Sequence, residues 1–255
     1  MAQKPIFIIG SPRSGTTLLR LILDSHPNIS CGPETHFLSE FSKIVDTRWQ
    51  QIEPFGFEKA YWHQKIASFF DSFQTEYAEK RGKKRWAEKT PKYTTMLDFI
   101  NELFPDSQMI HIIRDGRDVV TSHRDRWGYK VAMRSINDWK TYVTMANEFG
   151  KKVPSDRYFE LRYENLVTAP EETLRPLFDY LQEPWEPIVL KHHEVEHDMR
   201  ETPTSTATDT SRRKVSAKSA IYSSRVGAGK GELDPVLKAI LYFRAGELMN
   251  ELGYQ

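Results

Sequence analysis

Residues 6–20 read IFIIGSPRSGTTLLR, and this stretch decides the fold class of the chain. Its first four residues are apolar and predict a β-strand, while its last residues have the apolar spacing of a helix. Between them lie Gly10 and Gly15, followed by a pair of threonines. In such a unit the loop turns backbone N–H groups toward an anion, and the helix N-terminus adds partial positive charge. The stretch therefore predicts a phosphate-binding loop directly after the first strand.

This loop departs from the loop of nucleotide triphosphatases at one informative position. The triphosphatase pattern G-x-x-x-x-G-K-[ST] has a lysine for the outer phosphates and a hydroxyl for Mg²⁺. Here Thr16 stands at the lysine position, and Arg13 is the only cation in the loop. A kinase must neutralise a triphosphate and hold a metal. The loop therefore favours a less charged group and no metal, over both a P-loop kinase and an ordinary glycine turn.

Length and composition predict one ordered α/β domain over residues 1–255, with 39% hydrophobic and 28% charged residues. A net charge of +1 argues against a general nucleic-acid binder. No stretch approaches the roughly 20 apolar residues of a membrane span. The first strand follows the N-terminus so closely that we expect no signal peptide and a cytoplasmic protein. Cys31 is the only cysteine, which excludes an intramolecular disulfide.

Strand and helix patterns alternate along the chain and predict a single-domain P-loop fold, with a central parallel sheet flanked by helices. We expect strands at 6–9, 85–88, 108–113 and 158–161, a short strand and loop at 30–34, and helices at 16–25, 58–80, 94–103, 115–124, 135–151, 170–181 and 235–252. Ligands of such sheets bind at the carboxyl ends of the strands. The loop at Gly10, Arg114 and Tyr163 should therefore meet there. Residues 198–220 are polar and rich in Ser and Thr, which predicts a flexible loop near the site.

Residues 112–127, IIRDGRDVVTSHRDRW, form a second informative segment. Arg114 should end its strand, while Ser122 and Arg126 share one face of the following helix because they are four residues apart. Guanidinium groups bind phosphate oxygens strongly, so two arginines and a hydroxyl suit a phosphate dianion. The other charges of this helix, Asp118 among them, are expected to be solvated.

On these residues the chain resembles the sulfotransferases that use 3′-phosphoadenosine 5′-phosphosulfate (PAPS). GSPRSGTT at 10–17 is similar to their 5′-phosphosulfate loop, and LLRLILDSHPNISCGPETHF at 18–37 is most similar to the tyrosylprotein branch and its bacterial relatives. The resemblance implies that the 5′-phosphosulfate is bound by Arg13, Ser14, Gly15, Thr16 and Thr17. It implies likewise that the 3′-phosphate is bound by Arg114, Ser122 and Arg126.

The resemblance implies two further contacts with PAPS. Tyr163, in LRYENL, matches a position that approaches the adenine. In the segment IYSSRVGAGKGEL at 221–233, the residues Ser223, Ser224 and Arg225 are candidates to close over the 3′-phosphate, and the choice among them stays open. The family often has Trp where this chain has Gly229.

The catalytic residues follow from the same resemblance. Glu34, in CGPETHF, matches the glutamate that acts as general base, and His36 is the second choice for that role. Lys89, in AEKTP, matches a lysine whose ammonium steadies the sulfuryl or the bridging oxygen, and Arg13 meets the phosphosulfate. A carboxylate works well as a base near neutral pH when its pKa is raised. We therefore expect a raised pKa at Glu34.

The sequence thus predicts transfer of a sulfuryl group from PAPS, as a co-substrate without a metal, to an acceptor hydroxyl. A peptide tyrosine, a sugar, a lipid and a small metabolite all stay open as acceptors, as does the oligomeric state. His192, His193 and His197 are taken as a polar helix end and not as metal ligands. Two alternatives remain: a P-loop kinase of small molecules, and a catalytically silent nucleotide-binding module.

Overall fold

The computed structural model describes residues 4–199 and 219–254 of the chain. Its centre is a sheet of five parallel strands in the order β2-β3-β1-β4-β5, which confirms the predicted fold class. The strands are β1 (Ile6–Ile9), β2 (Ile29–Cys31), β3 (Arg85–Glu88), β4 (Gln108–Ile113) and β5 (Tyr158–Arg162). The predicted flexible loop at 198–220 lies almost entirely outside the described residues.

Helices cover both faces of this sheet. They are α1 (Thr16–Ser25), α2 (Phe37–Thr47), α3 (Trp49–Ile52), α4 (Lys59–Lys80), α5 (Leu97–Leu103), α6 (Gly116–Trp127), α7 (Tyr129–Lys152), α8 (Tyr163–Thr168), α9 (Pro170–Leu181), α10 (Ala228–Glu232) and α11 (Pro235–Glu251). Short 3₁₀ segments lie at Glu53–Phe55, Pro91–Met96, Ser155–Arg157 and Pro187–Glu194. Among the described residues, no helix combines the length and the apolar composition that crossing a bilayer needs.

Three boundaries differ from the predicted ones for identifiable reasons. Strand β2 begins at Ile29, one residue before the predicted strand and loop at 30–34, and it ends at Cys31, before Pro33, which has no N–H to donate to a sheet. The helix predicted at 94–103 starts as the 3₁₀ segment Pro91–Met96 and continues as α5. Helix α6 runs on to Trp127, and α7 begins directly after Gly128, whose φ of 81° breaks the helical path between them.

Strand β1 shows how the sheet is buried on both faces. Ile6 and Ile8 pack into the apolar cluster under α1 and α9, whereas Phe7 and Ile9 pack into the opposite cluster. Side chains alternate across a strand, so a strand that is apolar at every position requires cover on both sides. This double burial fixes the register of β1 against β3 and β4, and with it the start of the phosphate-binding loop at Gly10.

Candidate active site

The loop between β1 and α1 has the geometry of an anion cradle. Arg13 and Gly15 both have positive φ, of 72° and 97°, and such a left-handed pair of residues aims backbone N–H groups into one concavity. The first turn of α1 contains no acidic residue, so its N–H groups and helix dipole are left for an anion. A Cβ atom on Gly15 would lie 2.4 Å from Cδ2 of Tyr163. Glycine is therefore required there by contact as well as by φ.

A cavity of about 950 Å³ opens at the carboxyl ends of the strands, beside this loop. Most of the predicted site residues line it: Arg13, Gly15, Thr16, Thr17, Glu34, Arg114, Ser122, Arg126, Tyr163 and Arg225. Ser14 and Lys89 are buried beside it without lining it, and Ser223 and Ser224 are exposed residues that do not line it. The structure therefore brings the two ends of the predicted PAPS site together, although the roles of these residues stay predictions.

Glu34 and Lys89 meet because their strands are neighbours. Glu34 follows β2 and Lys89 follows β3, so both extend past the same edge of the sheet. The Lys89 Nζ atom donates a hydrogen bond to Oε1 of Glu34, and Nε2 of His36 lies 3.4 Å from Oε2. Lys89 is only 3% exposed. Its ammonium group therefore lies behind Glu34, the residue of the cavity wall to which it donates.

The pKa of Glu34 is lowered in the structure, whereas a raised pKa was expected for the predicted base. Burial alone would raise the pKa of Glu34, but the charge of Lys89 and the hydrogen bonds from His36 and Lys89 lower it to about 2. Burial also lowers the pKa of Lys89, against the pull of Glu34. In this state Glu34 is a carboxylate held by a buried ammonium, and a weak base.

Arg114 ends β4 and joins three parts of the chain. Its guanidinium donates to the carbonyl oxygens of Arg13, at 3.3 Å, and Arg225, at 2.7 Å. It also lies 4.2 Å from the centroid of the Tyr163 ring, at cation–π distance. Its Nε atom is buried without a hydrogen-bond partner among the described residues, as is Oγ of Ser14. Buried donors left unmatched in this way are costly, and an anion in the cavity would satisfy them.

The face of α6 that was predicted from residue spacing does turn toward the loop. The Nε atom of Arg13 donates to Oγ of Ser122 at 3.0 Å. The guanidinium groups of Arg13 and Arg126 lie 5.8 Å and 5.0 Å from the ring centroid of Trp127. The helix thus adds a hydroxyl and a second arginine to the cationic end of the cavity.

Asp118 is not a solvated charge, which corrects the expectation from the sequence. It is buried, and its carboxylate accepts hydrogen bonds from the backbone N–H groups of Gly227 and Gly229 at 3.0 Å and 2.7 Å. A Cβ atom on Gly229 would lie 2.3 Å from the carbonyl carbon of Arg117. Asp118 therefore holds the segment that carries Arg225 against α6, and this close approach requires glycine at position 229.

Comparison with known proteins shows which family the chain belongs to. A family model described as "Sulfotransferase family" matches residues 5–187, well over half of the chain. The chain belongs to the sulfotransferase family. It is 31% identical over 202 residues to the protein-tyrosine sulfotransferase of Drosophila melanogaster and, also over 202 residues, to human protein-tyrosine sulfotransferase 1. Each alignment covers 74% of this chain, but only 40% of the fly protein and 54% of the human one. The chain thus spans about half the length of these relatives.

Solved structures share the fold of this sulfotransferase-family chain. The sulfotransferase domain of the Synechococcus PCC 7002 olefin synthase superposes with a TM-score of 0.70 at 21% identity, covering 97% of this chain and 95% of that domain. A mouse sulfotransferase solved in complex with PAP superposes with a TM-score of 0.54 at 15% identity, covering 97% of this chain and 88% of that one. At these identities the likeness shows the fold alone.

The histidines near residue 195 are not simply a polar helix end. His192 and His197 are buried, and Nδ1 of His197 lies 2.7 Å from Oδ2 of Asp24. Burial lowers the pKa of His192 to about 4. Within 4–199 and 219–254, no group of three or more His, Cys, Asp or Glu side chains could hold a metal ion. His192 is thus packed in the core, and His197 links the segment before residue 200 to Asp24.

The cavity-lining residues that sequence reasoning missed include Lys92, Trp127 and Tyr222. Each directly adjoins or closely follows a recognised segment, since Lys92 follows AEKTP, Trp127 follows Arg126, and Tyr222 precedes Ser223. A basic or aromatic residue next to a phosphate-binding segment is a signal that could have found them.

Proposed function

We propose that the chain is a PAPS-dependent sulfotransferase acting on an acceptor hydroxyl, within one domain over residues 1–255. The observation that carries the proposal is the convergence of the loop after β1, Arg114 and Glu34 on one cavity. Membership of the sulfotransferase family and the similarity to protein-tyrosine sulfotransferases support it. Location in the cytoplasm stays a prediction.

The cationic end of the cavity fits a ligand with two phosphate-bearing ends. The loop of Arg13, Ser14, Gly15, Thr16 and Thr17 offers backbone donors and hydroxyls for a 5′-phosphosulfate. The second cationic group, formed by Arg114, Ser122 and Arg126, suits a 3′-phosphate. Of the three candidates at 223–225, Arg225 is the one that lines the cavity, so we assign the closing contact to it. The Ser14 Oγ and Arg114 Nε atoms, unmatched among the described residues, support an anionic occupant.

At the other end of the cavity, Glu34 takes the proton of the acceptor hydroxyl. A new S–O bond forms to the acceptor oxygen, the S–O bond to the 5′-phosphate breaks, and adenosine 3′,5′-bisphosphate (PAP) leaves with the electron pair. PAPS supplies the activated sulfuryl group, and catalysis of such loose displacements depends on positioning and electrostatics. Lys89 neutralises the charge that develops on the sulfuryl or bridging oxygen, and Arg13 steadies the phosphosulfate.

The low pKa of Glu34 is compatible with this role when Lys89 changes partners. The ammonium that lowers the pKa of Glu34 is the same group that the developing charge attracts. As Lys89 turns from the carboxylate to the sulfuryl oxygens, its lowering effect on the pKa of Glu34 is removed, and burial acts against the remaining effect of His36. Glu34 thus becomes a stronger base at the moment the acceptor proton must leave. His36, beside it, is the alternative base.

The acceptor class is inferred from the relatives and not from the cavity. The matched fly and human relatives are named as protein-tyrosine sulfotransferases, and a peptide tyrosine is therefore the first acceptor to test. A screen with labelled PAPS should also include sugars, lipids and small metabolites that carry hydroxyls.

Calorimetric titration with PAP and with ATP–Mg²⁺, each without acceptor, tests the proposal. We expect tight binding of PAP that does not change when EDTA is added, and weak binding of ATP–Mg²⁺. Preference for ATP–Mg²⁺ would move the chain to the P-loop kinases, with Thr16 in place of the usual lysine.

Glu34→Gln separates an enzyme from a silent nucleotide-binding module. Glutamine keeps an oxygen for the buried Lys89 but cannot accept a proton at neutral pH. We expect a fall in kcat of about 10²–10⁴-fold, the usual contribution of a general base, with PAP affinity unchanged. Glu40→Gln, at an exposed carboxylate on α2, is the matched control. Wild-type protein that binds PAP but transfers no sulfuryl group to any acceptor would favour the silent module.

A further inference from the structure

A second carboxylate lies beneath the predicted base and is not used by the mechanism above. Glu88, the last residue of β3, is 1% exposed and does not line the cavity. Its Oε1 atom accepts hydrogen bonds from Thr35 N, at 3.4 Å, and Thr35 Oγ1, at 3.3 Å. The same oxygen accepts from Oγ1 of Thr90 at 2.6 Å, and Oε2 accepts from Nε2 of Gln74 at 2.8 Å. Every one of these contacts brings a donor to an ionised carboxylate.

Thr35 is the link from this network to the site. It stands between Glu34 and His36, in a loop where His36 has the left-handed φ of 58°. Its hydroxyl also lies 2.9 Å from the hydroxyl of Tyr93, which accepts from the backbone N–H of Leu38 at the start of α2. The loop thus passes over a polar network that is centred on the charge of Glu88.

We propose that ionised Glu88 is a positioning residue that fixes Thr35 and thereby the Glu34–His36 loop, and that protonation of Glu88 releases this loop. A protonated carboxyl brings a hydrogen to an oxygen that already faces a donor, so at least one donor must turn its hydrogen away or lose its contact. Thr35 makes two of these four contacts, so the change reaches the loop that orients the predicted base. The inference rests on the proposed function for its effect on turnover, but not for its effect on the loop.

The surroundings of Glu88 place its titration within the working pH range. Burial raises the pKa of Glu88 to about 6, with Glu34 acting in the same direction and Lys89 and the Thr90 and Thr35 hydrogen bonds acting against it. The other titratable groups that face it are Tyr93 and Cys31, whose pKa values are both raised, first by burial. Glu34, with a pKa of about 2, stays ionised across this range. We therefore expect Glu88 to contribute to the acid limb of activity.

The effect of Glu88 protonation on the stability of the fold distinguishes the release of the loop from acid unfolding. Because the pKa of Glu88 is higher in the folded chain than the ordinary value of 4.5, its protonation stabilises the fold as the pH falls through about 6. Turnover and stability should therefore change in opposite directions because of this group. A merely structural carboxylate would not give that combination.

The first test follows the backbone amide resonance of Thr35 by NMR, on the full chain with PAP bound, from pH 8 to pH 5. We expect a titration with a midpoint near pH 6 when Glu88 is present and its absence in Glu88→Gln, both measured with His36→Gln to remove the neighbouring imidazole. Glu40→Gln, at an exposed position, should titrate like the wild type. A Thr35 titration that persists in Glu88→Gln overturns the proposal, whether or not the chain proves to be a sulfotransferase.

The second test measures turnover with PAPS and a tyrosine-containing peptide. We expect Glu88→Gln to keep the KM for PAPS and to lose the fall in kcat near pH 6. Glu88→Ala should lower kcat by about a hundredfold at pH 8, the cost of an ångström-scale misplacement. An acid limb that is unchanged in Glu88→Gln contradicts the inference. Absence of turnover in the wild type counts against the proposed function alone, since the Thr35 titration decides the role of Glu88.

Discussion

Arg114 shows why an arginine and not merely a cation is required at the end of β4. Its planar guanidinium donates to two backbone carbonyl oxygens and also lies over the Tyr163 ring. An ammonium group offers one point of charge and no plane, so it cannot serve both purposes. The interactions of Arg114 thus fix the mutual positions of the phosphate loop, the C-terminal segment and the start of α8.

Arg114→Lys should weaken PAP binding although the charge is kept. Losing one charge-assisted hydrogen bond costs about 1.5–3 kcal/mol, so we expect the dissociation constant of PAP to rise about tenfold to a hundredfold by calorimetry. Arg175→Lys is the matched control, since Arg175 is exposed on α9, pairs with Glu171 and does not line the cavity. Equal losses in both variants would show that general charge, and not the fork of Arg114, governs affinity.

At the residue scale, the sequence indicated which side chains gather but not their electrostatics. Glu34 and Lys89 are 55 residues apart, and no spacing rule relates them. Their contact depends on β2 and β3 being neighbours, which only the sheet order reveals. The lowered pKa of Glu34 follows from that contact, so the expectation based on its role as a base had the opposite direction.

Helix α10 shows how a close approach between two helix backbones requires a glycine. It packs on α6 so closely that position 229 has no room for a side chain, and Asp118 accepts from the amides at its start. The family's frequent Trp at this position implies a different local path. From the sequence, Gly229 was a departure without an explanation, because a close approach between two helices leaves no trace in either segment alone.

Gly229→Ala should destabilise the chain and weaken PAP binding together. The added methyl group would meet the Arg117 backbone, and overpacking of this kind costs about 1–3 kcal/mol. Urea unfolding measures the first effect, and PAP calorimetry measures the second through displacement of Arg225. Gly231→Ala is the control in the same helix, because a Cβ atom added there would meet nothing within 4 Å. A Gly229→Ala variant as stable as the wild type would refute the packing argument.

Element boundaries were predicted well where a breaker residue or a complete apolar pattern marks them. Strands β1, β3 and β4 and helices α1 and α9 have the predicted bounds. Helices α2 and α8 were not predicted, because each begins within a segment read for its functional residues. His36 precedes α2, and Tyr163 opens α8. In both segments, the residues that were read for their site chemistry lie where a helix begins, so the helix itself was not predicted.

For the whole molecule, one buried carboxylate holds distant parts of the chain together. Asp24, at 0% exposure, pairs with Arg81 after α4 and lies 2.7 Å from His197 in the segment before residue 200. It also accepts from the backbone N–H of Cys31 in β2. Burial alone would raise the pKa of Asp24, but these partners lower it well below its usual range.

Asp24→Asn should lower the free energy of unfolding by about 3–5 kcal/mol at pH 7, the cost of breaking a buried ion pair. A carboxyl with a lowered pKa contributes stability above its unfolded value of about 4 and loses that contribution below it. The difference between the wild type and Asp24→Asn should therefore shrink as urea unfolding is repeated at pH values below about 4. Asp46→Asn, at an exposed position on α2, is expected to change stability by less than about 0.5 kcal/mol. A constant difference at every pH would exclude the ionised form as its source.

The order of the strands has a consequence for protein engineering. With β1 in the centre, Arg114 and Tyr163 extend from β4 and β5 on one flank, whereas Glu34 and Lys89 extend from β2 and β3 on the other. The long excursion at residues 37–84 connects only the second flank. We expect that it can be exchanged for the corresponding excursion of another family member if Gln74 and Arg81, which bond to Glu88 and Asp24, are retained. Chimeras made in this way would keep the proposed site for the sulfuryl donor and vary the part of the chain that faces the acceptor.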